Sequence, residues 1–335
     1  MLLIAFGTRP EWIKIKPVID AIDGEIPFKL LFTGQHTSLV DESIENYPYK
    51  RIEIDDQLGG CRLDAIVCSI LDQLPPLSDI SGVMVQGDTT SAFAVALAAF
   101  HRQVPVIHLE AGLRTFDKDN PYPEEFNRCA ISALADVHLC PTITSAHNLR
   151  MSLGREANMH VVGNTVLDNL VGHPSSLEDF VLVTLHRREN HENIAEWFET
   201  INELARTSDI DFVLPIHPNP NVVKYQHLLK DVKVIDPLPY ADCIDMVSKC
   251  RLLITDSGGL QEESSFFGKR CIVCRKITER LEGIGQFAFM CGSPSDLPEV
   301  FRKVSFMQPD IVSGKCPYGD GNSAQKVAEI LRDII

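Results

Sequence analysis

The sequence predicts an α/β protein made of two similar halves, each with a parallel β-sheet covered by helices and both facing a central cleft. Three observations support this prediction. The chain has 335 residues, its short apolar runs alternate with longer amphipathic segments, and the alternation breaks once, at residues 172–176, before it restarts. A chain of this length exceeds one ordinary core, and strands that alternate with helices form parallel sheets. Ligands of such folds bind beyond the carboxyl ends of the strands.

The first half contains six apolar runs that are predicted to be strands, at residues 2–6, 28–32, 82–86, 105–109, 137–140 and 160–162. Gly7-Thr8-Arg9 forms a turn after the first of them, and Pro10 suits the first position of the helix that follows. A second, strongly apolar helix is predicted at residues 90–101. These elements assign residues 1–170 to an N-terminal domain.

The second half repeats this pattern after the break. Strands are predicted at residues 180–185, 211–216, 232–235, 251–255 and 270–274, with a helix at residues 194–206. A Gly-Gly turn precedes another helix, which Gly268 ends as a C-cap. These elements assign residues 178–318 to a second domain, and a last helix is predicted at residues 324–335.

The composition excludes several classes of protein. The formal net charge of −15 repels phosphate backbones at long range, which argues against general nucleic-acid binding. The longest apolar stretch, residues 92–100, is far shorter than the ~20 residues of a membrane-spanning helix. The apolar start at residues 1–6 is followed at once by polar residues, unlike a signal peptide. The ten cysteines show no paired metal spacing. We expect a reduced cytoplasmic protein that binds no nucleic acid, membrane or metal.

Polar clusters follow several of the predicted strands, where ligands of such folds bind. Arg9 and Lys14 lie at the start of a helix and favour an anion site, although a helix cap with a surface arginine is an equal alternative. Asp88 follows the third strand and either serves a site or caps the next helix. Glu110 follows the fourth strand and either serves a site or pairs with Arg114.

Two further clusters are rich in charge. Glu124 begins a predicted helix and shares one face with Arg128, which predicts either a catalytic carboxylate held by an arginine or a surface ion pair. His186 leads the run His-Arg-Arg-Glu-Asn after a predicted buried strand, where packing alone does not explain so many charges. A metal bound by His186, His191 and His217 is the less favoured interpretation, because no compact ligand set is present.

The segment at residues 257–263 is the most informative cluster. A predicted strand ends, Ser257-Gly258-Gly259 forms a turn, and a helix begins. Backbone N–H groups and the helix dipole at such a point can hold a phosphate. Glu263, one turn into the helix, can accept hydrogen bonds from two sugar hydroxyls.

In combination these clusters resemble the motifs of the non-hydrolysing UDP-N-acetylglucosamine 2-epimerase family. The sequence has G-T-R-P-E at residues 7–11, G-D-T at 87–89, E-A-G-L-R-T at 110–115, P-E-E-F-N-R at 123–128, H-R-R-E-N at 186–190, D-S-G-G-L-Q-E-E at 256–263, T-E-R-L-E at 278–282 and P-Y-G-D-G at 317–321. The resemblance implies the two Rossmann-like domains of the GT-B fold and a homodimer. It also implies that residues 319–335 form a C-terminal helix that packs back on the first domain.

The resemblance further implies the roles of individual residues. The N-terminal domain would hold the sugar, and the second domain would bind UDP. The catalytic residues would be Asp88, Glu110, Glu124 and His186. The UDP-sugar would be bound by Arg9, Lys14, Asp88, Glu110, His186, Ser257, Gly258, Gly259, Glu263 and Arg280.

The sequence departs from the family pattern at four places, one of which is Leu238, where the family often has Gln or another polar residue. Cys243 stands where the family often has an aromatic residue against uracil, and Leu281 replaces a proline. Residues 35–39, Gln-His-Thr-Ser-Leu, keep part of the pattern of a second, regulatory UDP-sugar site that bacterial relatives often carry.

The reaction that the resemblance implies begins with departure of UDP from C1, because the C2 proton of the sugar is not acidic by itself. A carboxylate then removes that proton to leave a 2-acetamidoglucal, and UDP adds back while C2 is protonated on the opposite face. The product is UDP-N-acetylmannosamine, and no nicotinamide or metal cofactor is required. Three alternatives stay open: a hydrolysing 2-epimerase, an epimerase of a UDP-2,3-diacetamido uronic sugar, and a silent UDP-sugar-binding regulator. A dehydrogenase is poorly supported, because no G-x-G-x-x-G follows the first strand.

Overall fold

The computed structural model describes residues 1–36, 42–154, 157–308, 311–312 and 314–335. The chain divides into two compact units. The first unit consists of Met1–Asn169 and Gly319–Ile335, and the second unit is Leu170–Tyr318. Each unit has its own parallel sheet, which confirms the predicted α/β class with two parallel-sheet halves. Residues 37–39 of the partial regulatory pattern lie outside the described residues.

The first unit is built on a seven-stranded sheet. Its strands are β1 (Leu2–Phe6), β2 (Phe28–Phe32), β3 (Tyr49–Arg51), β4 (Gly82–Gln86), β5 (Val106–Leu109), β6 (Val137–Cys140) and β7 (Asn158–Val161). They lie in the order β3-β2-β1-β4-β5-β6-β7, and every pairing is parallel. The central strands β1, β4 and β5 are buried along their whole length. This burial explains their continuous apolar sequences.

Five helices of the first unit follow these strands in the chain. They are α1 (Arg9–Ile22), α2 (Arg62–Gln73), α3 (Thr90–His101), α4 (Glu124–Leu134) and α5 (Ile143–Leu153). Pro10 occupies the second position of α1, one residue later than predicted. The N-cap of α3 is Thr89, whose hydroxyl accepts from the Ala92 amide at 3.0 Å, so the alternative of Asp88 as the cap is wrong.

The second unit is built on a six-stranded parallel sheet in the order β10-β9-β8-β11-β12-β13. Its strands are β8 (Phe180–Thr184), β9 (Asp211–Pro215), β10 (Lys233–Ile235), β11 (Leu252–Thr255), β12 (Arg270–Val273) and β13 (Ala288–Met290). Its helices are α6 (Ile194–Thr207), α7 (Pro220–Val223), α8 (Tyr240–Lys249), α9 (Gly258–Phe266) and α10 (Leu297–Ser305). Gly258 and Gly259 are the first residues of α9 rather than a turn before it, and Gly268, with φ +70°, follows the helix end.

The last helix, α11 (Ser323–Ile334), belongs to the first unit. Its buried residues Val327, Ala328 and Leu331 share one hydrophobic cluster with Ile15 and Ile19 of α1. The carboxylate of Asp168 accepts hydrogen bonds from the amides of Ser323 and Ala324, at 3.2 and 2.8 Å, and so satisfies the N-terminus of α11. Among the described residues, no helix is both long enough and apolar enough to cross a membrane.

Candidate active site

The order of the strands marks one point in each sheet where a ligand is expected. In the first unit the strand order reverses between β1 and β4, and in the second unit it reverses between β8 and β11. Crevices form at the carboxyl ends of strands where the order reverses, because the helices that follow lie on opposite faces of the sheet. The motifs after β1 and β4, and those after β8 and β11, therefore lie at the two expected places.

Glu110 is the central carboxylate of the first unit. It follows β5 and is buried, and its carboxylate oxygen Oε2 accepts from the Lys14 ammonium and from the Gln86 amide. The alternative pairing with Arg114 is wrong, since that guanidinium donates to Ser132, Ser152 and its neighbour's carbonyl. Glu110 is brought together with Lys14 from a helix 96 positions away in the chain. One cation thus offsets the charge of the buried carboxylate.

The backbone at Glu110 is held in an unusual conformation. Its φ is +67°, in the left-handed region that non-glycine residues rarely adopt. Such a residue costs about 1–3 kcal/mol and persists only where the surroundings fix it. Gly112, with φ +86°, fixes the next part of this loop, since a Cβ there would lie 2.1 Å from the Ser145 carbonyl oxygen. The strain at a buried acid is consistent with a functional position.

Asp88 is held by Arg128 rather than by a helix end. The Arg128 Nε and Nη2 atoms both donate to Asp88 Oδ2, at 2.9 and 2.6 Å. Asn127 donates to the Asp88 carbonyl oxygen at 2.9 Å. Arg128 also donates to the buried Glu125, which itself accepts from two loop amides. Arg128 therefore holds Asp88 by two hydrogen bonds. Glu124 lies half-buried as the first residue of α4.

Arg9 is the first residue of α1. Its Nε atom is buried and has no hydrogen-bond partner among the described residues. A buried guanidinium nitrogen without a partner loses its hydration without compensation, so such a group commonly marks the place of a ligand. The position at the N-terminus of a 14-residue helix favours an anion.

Glu11 belongs to the G-T-R-P-E motif at residues 7–11, but no role was predicted for it. It is 2% exposed, and its carboxylate accepts from the Gly7 amide at 3.0 Å, the Thr8 hydroxyl at 2.7 Å and the Thr89 hydroxyl at 2.9 Å. It therefore joins the turn after β1 to the turn after β4. Burial raises the pKa of Glu11 to about 7, although these hydrogen bonds act in the opposite direction. The Thr-x-x-Glu spacing of a capping box was the signal in the sequence.

The raised pKa of Glu11 gives a prediction about stability. The folded state binds this proton up to about pH 7, whereas the unfolded chain releases it near the ordinary value of 4.5. The stabilisation is therefore complete below about pH 4.5 and is lost as the pH rises through 7, by about 3 kcal/mol in all. We expect Glu11→Gln to remove this dependence. The free energy of unfolding of the first unit is measured at each pH by urea denaturation. Trp12 fluorescence in a Trp197→Phe background reports the unfolding.

The control for this prediction is Glu329→Gln, which removes an exposed carboxyl from α11 of the same unit. The control should keep the wild-type pH dependence. Parallel pH dependences of the wild type and Glu11→Gln would contradict the assignment of the pKa to Glu11.

In the second unit, the N-terminus of α9 lies against an arginine. The Ser257 hydroxyl caps the helix, and the amides of Gly258 and Gly259 are among the first N–H groups, which have no partner inside a helix. A Cβ on Gly258 would lie 2.5 Å from Arg280 Nη1. Arg280 is buried and donates to Glu262 at 2.5 Å and to Glu279. The structure thus brings together Gly258 and Arg280, both of which were predicted to bind the UDP-sugar.

Glu263 lies in the same helix and accepts a hydrogen bond from the Tyr240 hydroxyl at 2.6 Å. Burial first, and then the charge of Glu263, raise the pKa of Tyr240 far above its ordinary range, so the phenol is a permanent donor. Cys243, one turn further along α8, has a pKa raised to about 12 by burial and by Glu263. Tyr240 was not predicted as a site residue, because nothing in its own segment indicates a carboxylate 23 positions away.

His186 follows β8 and is held at the carboxyl end of β11. Its amide donates to both oxygens of Asp256, at 3.2 and 3.0 Å. Its ring stacks on that of His217, with centroids 4.9 Å apart and planes 11° apart. The third histidine, His191, directs its Nε2 to the His186 carbonyl oxygen at 3.1 Å. Parallel stacked rings direct their in-plane nitrogen lone pairs alongside one another, whereas a tetrahedral metal needs them to converge.

The chain is similar over nearly its whole length to known proteins of one family. A family model described as UDP-N-acetylglucosamine 2-epimerase matches residues 21–332. The UDP-N-acetylglucosamine 2-epimerase of Campylobacter jejuni is 34% identical over 372 residues, covering 98% of this chain and 97% of that protein. The structure of UDP-GlcNAc 2-epimerase from Neisseria meningitidis bound to UDP-GlcNAc superposes with a TM-score of 0.88 at 34% identity and covers 99% of both chains.

A second solved structure, the S. aureus MnaA–UDP complex, has a TM-score of 0.88 at 30% identity and covers 100% of this chain and 97% of that one. With the two parallel sheets described above, these neighbours confirm the predicted fold class, two Rossmann-like domains of the GT-B type. Since the family model matches most of the chain and the relatives align with it almost end to end, the chain belongs to the UDP-N-acetylglucosamine 2-epimerase family.

Proposed function

We propose that this protein is a non-hydrolysing UDP-N-acetylglucosamine 2-epimerase that interconverts UDP-GlcNAc and UDP-ManNAc. The observation that carries the proposal is the pair of carboxylates Asp88 and Glu110 after the neighbouring strands β4 and β5, each held by one cation. Epimerisation at C2 needs proton removal on one face of the sugar and proton delivery on the other, for which two separate acids are suited. The UDP-GlcNAc and UDP present in the solved structures of relatives support the substrate.

The roles within the proposed reaction follow the two units. The first unit supplies the sugar-binding residues Arg9 and Lys14 and the catalytic carboxylates Asp88, Glu110 and Glu124. The second unit binds UDP. Ser257, Gly258, Gly259 and Arg280 stabilise the diphosphate, Glu263 accepts from the ribose hydroxyls, and His186 supports the departing UDP. The C1–O bond breaks with loss of the C2 proton. UDP then adds back to C1 on the face that it left, and C2 receives a proton on the opposite face. No cofactor or metal takes part.

Proton NMR in deuterated water tests the function. Incubation with UDP-GlcNAc should yield UDP-ManNAc that carries deuterium at C2, because the removed proton exchanges with solvent before the return step. Product that keeps its original hydrogen would overturn the elimination. Free N-acetylmannosamine with UDP would identify the hydrolysing alternative. Binding of UDP-GlcNAc without any product would identify a silent UDP-sugar-binding regulator. Turnover of only a UDP-2,3-diacetamido uronic sugar would identify an epimerase of that sugar.

The diphosphate assignment gives a prediction for Gly258. A methyl group at this position would displace Arg280 Nη1, which is fixed by two carboxylates. We expect Gly258→Ala to weaken UDP binding about tenfold or more, the usual cost of a lost hydrogen bond to a charged group. Isothermal titration calorimetry measures it. The matched control is Gly292→Ala in the same unit, where a Cβ meets no atom closer than 3.8 Å. Equal UDP affinity in the two variants would refute the assignment.

We also propose that the protein is a cytoplasmic homodimer. All ten cysteines are free thiols, which suits a reducing compartment. The first unit carries an aromatic patch, defined here as Phe93, Phe100 and Phe126 on the adjacent helices α3 and α4. Phe100 and Phe126 are each 54% exposed, and the rings of Phe93 and Phe126 are in edge contact, with centroids 6.0 Å apart. Contiguous exposed aromatic surface of this kind favours a protein partner.

A charge placed on the aromatic patch should prevent dimer formation. We expect Phe126→Glu to sediment as a monomer, because a buried unpaired carboxylate at an interface is costly. The control is Phe306→Glu, at an 80% exposed phenylalanine of the second unit, which should sediment as the wild type does. A wild-type protein that is monomeric at micromolar concentration would contradict the homodimer, and a dimeric Phe126→Glu would place the interface elsewhere.

A further inference from the structure

Asp256 is a carboxylate that the function described so far does not use. It directly follows β11 and is 0% exposed. Its oxygens accept from the amides of His186 and Arg187, the latter at 2.8 Å, and from the side-chain amide of Asn190 at 3.0 Å. A buried carboxylate is costly unless donors surround it. The donors here all belong to one segment, the loop at residues 186–190 that presents His186.

The same carboxylate faces the imidazole of His186. Asp256 Oδ1 lies 3.6 Å from His186 Nδ1, which is too long for a hydrogen bond but close enough for a strong charge interaction. A carboxylate on this side of the ring favours the proton on Nδ1 in the neutral form and stabilises the imidazolium when Nε2 is protonated as well. The His186 side chain is 34% exposed, so its other ring nitrogen, Nε2, is the one left to interact with a ligand.

We propose that Asp256 is a positioning residue for His186: it fixes the loop that carries the imidazole and supplies the negative charge that faces Nδ1, so that Nε2 can carry a proton toward the leaving diphosphate. The proposal rests on the role of His186 in the proposed function. Asp256 itself touches no substrate atom in this role, because it is fully buried behind the loop.

The other charged groups around His186 make a counter-charge necessary. Burial lowers the pKa of His186, and the neighbouring Arg187 and His191 lower it further, whereas Asp256 raises it. His217, stacked on the ring, has a pKa that is itself lowered by burial and by His186. Of the described groups that act on this imidazole, Asp256 is the one that favours its protonated form. Removal of its charge is therefore expected to disfavour the protonated ring.

The test compares two variants that loosen the same loop. Asp256→Asn removes the charge, whereas Asn190→Ser removes the side-chain bonds to Asp256 and to the Cys274 carbonyl oxygen but keeps the charge. Titration of the His186 imidazole by NMR, with its signals assigned by their loss in His186→Asn, reports the proton directly. We expect Asp256→Asn to lower the pKa of His186 by about one unit or more, the usual effect of an opposite charge at this distance. Asn190→Ser should keep the wild-type value.

The outcomes separate this proposal from the proposed function, since the titration needs no turnover. An unchanged His186 titration in Asp256→Asn, or an equal shift in both variants, would overturn the proposal even in an active epimerase. In an active enzyme, the alkaline limb of the pH profile should move with the titration, because activity is lost as His186 loses its proton. If Asp256→Asn does not fold, the nitrogen chemical shifts of His186 in the wild-type protein test the proposal instead. A neutral ring that carries its proton on Nδ1 supports the proposal, and a neutral ring that carries its proton on Nε2 overturns it.

Discussion

Glu110→Gln is expected to lower the turnover of UDP-GlcNAc by about 10²–10⁴-fold, the range lost when a general base is removed. Glutamine keeps the size of the side chain and can still accept from Lys14, but it cannot take a proton. The fold should survive, because glutamine has the same shape as glutamate and leaves the backbone at residue 110 unchanged in chemistry. Initial rates by NMR, with circular dichroism to check folding, measure the effect.

Deuterium exchange sharpens this test by using each epimer separately. If Glu110 and Asp88 act on opposite faces of the sugar, each single variant keeps one base. When each epimer is incubated separately in deuterated water, Glu110→Gln should exchange the C2 hydrogen of only one epimer for deuterium. Asp88→Asn should exchange the C2 hydrogen of only the other epimer. Glu110→Gln that epimerises at the wild-type rate would remove Glu110 from the catalytic set. Deuterium exchange at C2 of both epimers in either variant would show that Glu110 and Asp88 do not act on opposite faces of the sugar.

His186→Asn is expected to lower turnover by about a hundredfold or more, with the fold intact. Asparagine has a similar size and retains hydrogen bonding, but it has no titratable proton to support the departing UDP. The backbone amide of residue 186 still donates to Asp256, so the loop keeps its anchor. Steady-state rates should show the loss mainly in kcat, since the imidazole acts as the C1–O bond breaks.

The same residue allows a direct test against a metal site. EDTA should leave the wild-type enzyme fully active, because His186 in this proposal carries a proton. Loss of activity on chelation, restored by zinc, would favour a metal held by His186, His191 and His217. Among the residues that the structure describes, no group of three or more histidine, cysteine or acidic side chains is placed to hold an ion.

The sequence predicted those elements whose apolar pattern reflects burial. The runs at β1 and β4 are continuous because both faces of these strands are covered, and their bounds were predicted correctly. The edge strand β3 (Tyr-Lys-Arg) is exposed throughout and so has no apolar signal. Strand β7 was predicted to start two residues late and to end one residue late, because polar and apolar residues alternate in Asn-Met-His-Val and the strand has no continuous apolar run. Helix α10 was not predicted, although Leu297, Phe301 and Val304 have helical spacing.

The sequence predicted which residues carry charge near the strand ends, but not how they pair. Asp88 has the local sequence of a helix cap, yet its partner Arg128 is 40 positions away. The bond between Lys14 and Glu110 spans 96 positions, and that between Tyr240 and Glu263 joins two helices. Such pairings depend on how strands and helices assemble, so the pattern around a single residue does not contain them.

The capping of α11 by Asp168 has a consequence for how the nascent chain matures. The first unit is split in sequence, with the whole second unit inserted between Asn169 and Gly319. A ribosome therefore finishes the second unit before it makes the helix that covers Ile15 and Ile19. Domains usually complete folding in their order of synthesis, but here the order of completion is reversed. A released chain that ends before residue 323 would contain the complete second unit, but the core of its first unit would lack the helix that covers Ile15 and Ile19.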